Sequence, residues 1–288
     1  MKRIAVLLMT FLFATQAQAW EHTERLAKIM AAQDEAVQVR FAVRNPLRTM
    51  AFFGIEPGMT VIEGLPGDAG WYTGLLVPFL GADGALVGAD YAERMFPWFG
   101  FFSDEFIASK ATWVEDWTAA TRERAGEVST GISAFQFGSM PEDMEGKADA
   151  ALMIRAFHNL FRFEAEHGVL SEALDEIYRA LKPGGVLGVI QHQAPDHMPA
   201  GWANGSRGYV KKATMIERLQ AAGFVFEAES AVNQNPKDQP GPDDFVWRLP
   251  PSLATSGEDP ALRARMLEVG ESNRMTLRFR KPEQASEE

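Results

Sequence analysis

Short apolar segments alternate with longer stretches of helical periodicity along most of this chain of 288 residues. The apolar segments are Met59–Ile62, Ala85–Ala89, Ile132–Phe137, Ala148–Ile154, Val186–Gln191, Phe224–Glu229 and Met275–Phe279. Strands that alternate with helices at this spacing are typical of a mostly parallel sheet with helices on both faces. The sequence therefore predicts a doubly wound α/β fold.

Two helices are predicted before the first strand. Thr23–Arg44 has apolar residues near helical spacing, and Asn45–Pro46 should end that helix. Leu47–Phe53 is predicted to form a second, short helix closed by Gly54. Far along the chain, the proline-rich interval Asn235–Pro251 is predicted to be an insertion outside the core.

The first nineteen residues are typical of an export signal. Lys2 and Arg3 precede the apolar run Ile4–Ala14, and Ala17–Ala19 supplies small residues for cleavage. A membrane anchor is the alternative, but this run is too short for a hydrocarbon core of about 30 Å. We expect residues 1–19 to be a signal peptide, Trp20 to begin the mature chain, and the protein to be periplasmic or secreted without membrane attachment.

Composition limits the partners and the chemistry. The formal net charge is −11, and removal of Lys2 and Arg3 would lower it to −13, which disfavours nucleic acid as a partner. The absence of cysteine excludes disulfides, thiolate metal sites and a cysteine nucleophile. We expect one domain over residues 20–280 and a disordered tail over 281–288. The sequence does not indicate an oligomeric state.

A glycine-rich loop follows the first predicted strand, within the stretch VIEGLPGDAGWYTGLL. In a parallel sheet, ligands bind beyond the carboxyl ends of the strands, where Glu63, this loop, Asp90, the Phe137–Met140 turn and Arg155–Asn159 would meet. Asp90 lies 23 residues beyond Gly67, where an acid could bind ribose hydroxyls. Each feature also has a plain structural interpretation, since glycine-rich loops serve tight turns and an acid at a strand end is often only a turn residue.

The segments GIEPGMTVIEGLPGDAGWYTGLLVPFLGADGALVGAD and ALKPGGVLGVIQH resemble the class I S-adenosylmethionine-dependent methyltransferases. Within that superfamily the chain is similar to an exported family of predicted methyltransferases, and RAFHNL, NPKD, VWRLPPSL and MTLRFRKP extend the similarity over the mature chain. The resemblance implies a Rossmann-like methyltransferase fold with a seven-stranded sheet whose last strand is antiparallel. It also implies S-adenosylmethionine as the cofactor.

The resemblance assigns cofactor-binding roles to several positions. Glu63 and the loop from Gly67 to Gly70 would flank the methionine and ribose parts, Asp90 would bind the ribose, Tyr91 would lie against the adenine, and Ser139 and Met140 would border the base. The loop departs from the usual acid-x-Gly-x-Gly-x-Gly pattern. Leu65 replaces the first glycine, Pro66 follows it, and Gly70 is one residue late.

His158, Asn159 and His192 are the candidate catalytic residues, because the two histidines each lie near the carboxyl end of a predicted strand. A histidine there could remove a proton from a methyl acceptor, although buried hydrogen bonding explains it equally well. No ligand spacing supports a metal site. The sequence favours a methyltransferase acting on a small-molecule substrate, and the alternative is a non-catalytic periplasmic small-ligand-binding protein on the same fold. At the end of a strand, Asp90 is expected to contribute little to stability.

Overall fold

The computed structural model describes residues 20–67 and 70–283. The predicted signal peptide, the loop residues 68–69 and residues 284–288 lie outside the described part of the chain. The expectations about cleavage and export therefore remain predictions. In the described part, no helix is both long enough and apolar enough to cross a membrane.

One seven-stranded sheet organises the described chain, in the order β3-β2-β1-β4-β5-β7-β6. Strands β1 to β5 are parallel, whereas β7 runs antiparallel between β5 and β6. The prediction of a mostly parallel sheet with an antiparallel last strand is confirmed. The strands are β1 (Thr60–Gly64), β2 (Ala85–Asp90), β3 (Gly131–Gln136), β4 (Ala148–Ile154), β5 (Leu181–His192), β6 (Val225–Ser230) and β7 (Arg274–Arg280).

Helices cover both faces of this sheet. They are α1 (20–31), α2 (Glu35–Gln38), α3 (Phe41–Arg44), α4 (Pro46–Phe53), α5 (Thr73–Leu80), α6 (Asp104–Ala108), α7 (Trp113–Ala125), α8 (Phe157–His167), α9 (Val169–Ala180), α10 (Lys212–Ala221) and α11 (Pro260–Val269). Because side chains alternate along a strand, Val61 packs with one layer of helices and Ile62 with the other. This alternation produces two apolar cores, one on each face of the sheet.

The helix predicted over Thr23–Arg44 is wrong as a single element, because the structure divides it into α1, α2 and α3. The amide of Gln38 donates hydrogen bonds to the carbonyls of Ala31 and Gln33, at 3.3 and 2.5 Å. These side-chain bonds satisfy carbonyls at the end of α1, so the backbone can turn there. Asn45 then takes a left-handed conformation, and α4 begins at Pro46 as the Asn–Pro signal indicated.

The interval Asn235–Pro251 is also not the non-core insertion expected from its prolines. Asp238 and Arg248 are buried, their side chains form an ion pair at 2.8 Å, and both bind the Tyr209 hydroxyl. This network fastens the interval to the segment between β5 and α10. Beyond β7, the Lys281 ammonium donates to the carbonyls of Tyr178 and Leu181, so ordered chain extends past residue 280.

Candidate functional site at the carboxyl edge of the sheet

The carboxyl ends of β1, β2, β4 and β5 meet at one edge of the sheet. Gly64 pairs with both Ala89 and Met153, and Ile154 pairs with Ile190. Because β7 is antiparallel, it begins where β5 ends, and Arg274 pairs with His192. The segment before β7 therefore joins the same edge as the strand ends identified from the sequence.

The loop after β1 has a left-handed backbone at three described positions. Leu65, Gly67 and Gly70 have φ angles of 52°, 64° and 48°. A left-handed conformation costs a non-glycine residue about 1–2 kcal/mol, so Leu65 accommodates a backbone that glycine would adopt freely. The Leu65 N–H donates to the Ala89 carbonyl at 2.7 Å, which holds this turn against the end of β2. The side chain of Leu65 lines a cavity at the edge.

A Cβ atom at Gly70 would lie 2.6 Å from Nη1 of Arg124, at the end of a flexible side chain, and 3.0 Å from Thr73. The loop, Thr73 on α5 and Arg124 on α7 are thus closely packed. They border a cavity of about 500 Å³ that Gln33 and Val37 also line. This space adjoins the start of α5, where backbone N–H groups favour a polar or anionic ligand.

Glu63, near the end of β1, is buried, and its carboxylate accepts a hydrogen bond of 2.8 Å from the Thr73 hydroxyl. Burial raises the pKa of Glu63 to about 7, while the bonds from Thr73 and the charge of Arg124 oppose this rise. Near neutral pH the carboxyl group is therefore divided between its protonated and ionised forms. A cationic ligand at this edge would favour the ionised form.

Asp90 ends β2 as predicted, but it is buried in an ion pair. Its Oδ2 lies 3.1 Å from Nζ of Lys110, and its Oδ1 accepts a bond of 2.8 Å from the Tyr91 N–H. The ammonium of Lys110 also lies 4.6 and 4.8 Å from the ring centres of Phe96 and Phe106. The expectation that Asp90 contributes little to stability is inconsistent with this burial, since a buried carboxylate and ammonium depend on each other.

Tyr91 and Asn159 connect the end of β2 to the start of α8. The Tyr91 hydroxyl donates to the Ala156 carbonyl at 2.6 Å, and its ring is buried in the core. Burial raises the pKa of Tyr91, and an interaction with the Asn159 side chain opposes that rise. Asn159 is therefore placed beside Tyr91, and it does not line the cavity that contains the two candidate histidines.

The turn after β3 is held by Glu176 of α9, whose carboxylate accepts the N–H groups of Gly138 and Met140 at 2.8 and 3.1 Å. Ser139 is exposed at this turn, and Met140 is buried. Gly138 and Ser139 line a cavity of about 430 Å³ together with Arg94 and Gln136. Of the two positions predicted to border the cofactor base, Ser139 thus lines an open space, whereas Met140 is buried and does not line it.

His158 and His192 come together in a different cavity, of about 210 Å³. Their ring centres are 5.7 Å apart, and His158 makes an edge contact with Trp247 at 5.6 Å. Nδ1 of His192 lies 2.5 Å from the Ser272 hydroxyl, whereas Nδ1 of His158 is buried and has no hydrogen-bond partner among the described residues. The remaining lining residues are Leu65, Ile154, Arg155, Val246, Leu249, Pro250, Pro251, Ser252 and Glu271.

Burial makes both histidines weak bases. Burial lowers the pKa of His158 to about 4, with a further decrease from Arg155 and an opposing contribution from Gln191. The pKa of His192 is also lowered, first by burial and then by His158 and the nearby arginines. Both rings are therefore neutral at pH 7 and can act as hydrogen-bond acceptors or donors according to tautomer.

The sequence predictions missed a group of arginines beside this cavity. Glu271 is buried and pairs with Arg44 at 3.1 Å, with Arg274 at 2.9 Å and with Arg40 at 3.5 Å. Arg155 adjoins them and lines the cavity itself. The predicted antiparallel last strand could have identified Glu271 and Arg274, because the residues preceding such a strand lie at the carboxyl edge.

Comparison with known proteins concerns the fold. No protein-family profile matches the chain, and no curated protein matches it significantly in sequence. The structure of the (4+2)-cyclase SpnF is similar, with a TM-score of 0.51 and 18% identity over 83% of this chain and 80% of that chain. The complex of the Haloferax volcanii Trm112 methyltransferase activator with its candidate methyltransferase also has a TM-score of 0.51, with 16% identity over 88% of this chain and 95% of that chain.

The fold is that of the class I methyltransferases. The described residues contain no group of three or more His, Cys, Asp or Glu side chains that could hold a metal ion. The structure brings His158 and His192 into one cavity. It places Glu63, Gly67 and Gly70 at the loop after β1, and it places Asp90, Tyr91, Ser139 and Met140 around the ends of β2 and β3. The roles of these residues toward a ligand stay predictions.

Proposed function

We propose that this protein is an S-adenosylmethionine-dependent methyltransferase that acts on a small-molecule acceptor. The main supporting observation is that a left-handed loop after β1 and an acid at the end of β2 lie at the same edge of the sheet. The loop keeps this backbone at Leu65 although the residue is not glycine. One of the similar structures is a cyclase, so the fold alone does not assign a reaction, and these residues support the assignment.

The residues around the edge fit the proposed cofactor. The loop from Leu65 to Gly70 and the start of α5 would hold the amino-acid end, and Glu63 would lie near the positive sulfonium. Asp90 would accept the ribose hydroxyls, with Lys110 sharing its carboxylate. The space bordered by Gly138 and Ser139 would receive the base. When bound, S-adenosylmethionine would supply an activated methyl group for in-line transfer.

The acceptor would enter the cavity that contains His158 and His192. His158 lines this cavity with a neutral ring, so a ring nitrogen could orient an acceptor hydroxyl or amine and receive its proton. Its low pKa makes it a weak base, so positioning should account for much of its contribution. We also propose that the chain is exported, because the basic and apolar pattern of residues 1–19 supports a cleaved signal.

A methyl-incorporation assay tests the proposal. The mature protein and S-adenosylmethionine carrying a labelled methyl group are incubated with a panel of small molecules, and labelled products are separated. The His158→Ala variant should lose about 10²-fold in turnover while its affinity for S-adenosylhomocysteine is unchanged, and His197→Ala, at an exposed histidine, should match the wild type. Cofactor binding without methylation of any compound would favour the non-catalytic binding protein instead.

A further inference from the structure

Positive charge is concentrated beside the histidine cavity. We call Arg40, Arg44, Arg155, Arg274 and Glu271 the arginine cluster. Within the described ranges, Glu271 is the only carboxylate at ion-pair distance from these four arginines. The cluster therefore carries an excess of three positive charges in a protein whose formal net charge is −11. Buried charges of one sign are costly unless a counter-charge approaches them.

The pKa values of the individual arginines reflect this cost. Arg44 and Arg274 are almost fully buried, with 3% and 4% of their surface exposed. Burial and the neighbouring arginines lower the pKa of Arg44 to about 10, and burial lowers the pKa values of Arg155 and Arg274 as well. A bound anion would reverse part of this effect, because an opposite charge favours the charged form.

Arg155 is the member that can reach a ligand. Its backbone follows β4 with a φ of 58°, and its N–H donates to the Ile190 carbonyl at 2.6 Å. Arg155 lines the cavity, and its guanidinium forms no hydrogen bond or ion pair with any described residue. The partners of Glu271 are the other three arginines, so the planar donor group of Arg155 is available for a carboxylate.

His158 is a second polar side chain that lines this cavity. It is more than nine-tenths buried, and its Nδ1 has no hydrogen-bond partner among the described residues. About half of the lining residues are apolar, among them Leu65, Ile154, Trp247 and the two prolines at 250 and 251, and the rest are polar, with Glu271 and two serines among them. The cavity volume of about 210 Å³ suits a small molecule with a flat apolar body and one polar end.

We propose that the cavity binds the carboxylate of an acid with an apolar body, that this acid is the methyl acceptor, and that Arg155 is the principal ligand of its carboxylate. A hydroxyl or amine of the same acid would form the new bond to the methyl carbon as the methyl–sulfur bond of S-adenosylmethionine breaks. S-adenosylhomocysteine would leave with that electron pair, and the proton of the hydroxyl or amine would pass to His158 or to solvent. This proposal rests on the proposed function and adds the substrate class. His158 would then contact the bound acid, and the apolar walls would cover its body. A carboxylate matches the single available guanidinium in shape and charge, whereas a phosphate dianion would require further open donors.

Benzoate and benzamide are suitable probes, because they have the same shape and differ in charge. Titrations of the mature protein, monitored by calorimetry and by methyl and aromatic NMR shifts, should detect benzoate binding. Benzamide should bind at least about tenfold more weakly. The Arg155→Met variant should weaken benzoate binding by roughly 10- to 100-fold. The matched control is Arg263→Met, which removes the same charge from an exposed position of α11 and should leave benzoate affinity unchanged.

Arg155→Lys keeps the charge without the planar donor pair, and it should show intermediate affinity, which keeps the test valid if Arg155→Met fails to fold. Equal binding of benzoate and benzamide, or benzoate binding that neither Arg155 variant alters, would overturn the proposal. S-adenosylhomocysteine also carries a carboxylate, so its binding to the same variants shows whether Arg155 binds the cofactor instead. If the Arg155 variants lose affinity for S-adenosylhomocysteine and not for benzoate, the cluster serves the cofactor and the proposal is overturned.

The two proposals can fail separately in this experiment. If the wild type binds benzoate through Arg155 but does not bind S-adenosylhomocysteine, the anion site is supported and the proposed function fails. If benzoate and S-adenosylhomocysteine bind together without competition, the carboxylate site is distinct from the cofactor site, as the proposal requires.

Discussion

The buried pair of Asp90 and Lys110 gives the sharpest prediction about stability. The two charged groups are 3.1 Å apart, and each side chain is only 10% exposed. At an effective dielectric constant of 20 their attraction is about 5 kcal/mol, most of which offsets the cost of removing both from water. Removal of either side chain leaves the other buried charge without this counter-charge. We therefore expect Asp90→Asn and Lys110→Met each to lower the free energy of unfolding by about 3 kcal/mol.

Urea denaturation of the two single variants and the double variant measures this effect. Because the double variant removes both charges, its loss should be smaller than the sum of the single losses by about 2 kcal/mol. Met at position 110 keeps an apolar stem near Phe96 and Phe106, so packing is largely preserved. Lys212→Met is the control, since its ion pair with Glu229 lies at the surface and should contribute less than about 1 kcal/mol.

If each single variant loses less than about 1 kcal/mol of unfolding free energy, and the two losses add in the double variant, the two groups are solvated and independent. That result would contradict the predicted buried ion pair. The same variants bear on the site. If Asp90 binds a ribose, Asp90→Asn should weaken S-adenosylhomocysteine binding by about 2 kcal/mol, in addition to its effect on folding.

Three further predictions concern other parts of the chain. Burial raises the pKa of Glu63 from 4.5 to about 7, so the folded state retains a proton that the unfolded state releases. The free energy of unfolding should therefore fall by about 3 kcal/mol as the pH rises from about 4.5 to 7. If urea titrations give the same dependence of this free energy on pH for the wild type and Glu63→Gln, the prediction is contradicted. At Leu65 the left-handed backbone should make Leu65→Gly more stable than Leu65→Ala by about 1 kcal/mol, the reverse of the usual order, as measured by denaturation of both variants. Mass spectrometry of the protein from its native host should find Trp20 at the amino terminus, and an intact Met1 or Lys2 would disprove cleavage.

Local sequence patterns determined most of the sheet. The strand Ala148–Ile154 was predicted with the bounds that the structure shows, because a run of apolar residues follows a charged, glycine-containing turn. The antiparallel direction of β7 was not predictable from periodicity, and it came from the resemblance. The predicted helix over Thr23–Arg44 failed because the Gln38 side chain satisfies carbonyls that helical spacing alone assigns to the backbone.

The candidate site was predictable where residues lie at or shortly after the end of a strand, as Asp90 and His158 do. The partners of these residues were not, because they come from distant segments. Lys110 reaches Asp90 from the segment between α6 and α7, and Glu271 is placed beside Arg44 by the return of the chain before β7. An ion pair across 227 residues leaves no periodic signal in the sequence.

Calorimetric titration of the mature wild-type protein with S-adenosylhomocysteine measures binding at the proposed cofactor site, and it requires neither an acceptor nor turnover. We expect saturable one-to-one binding that Asp90→Asn weakens at least about tenfold and that the surface variant Lys212→Met leaves unchanged. No heat of binding at millimolar ligand, with the protein shown to be folded, would contradict the claim that this sheet edge holds an S-adenosyl cofactor.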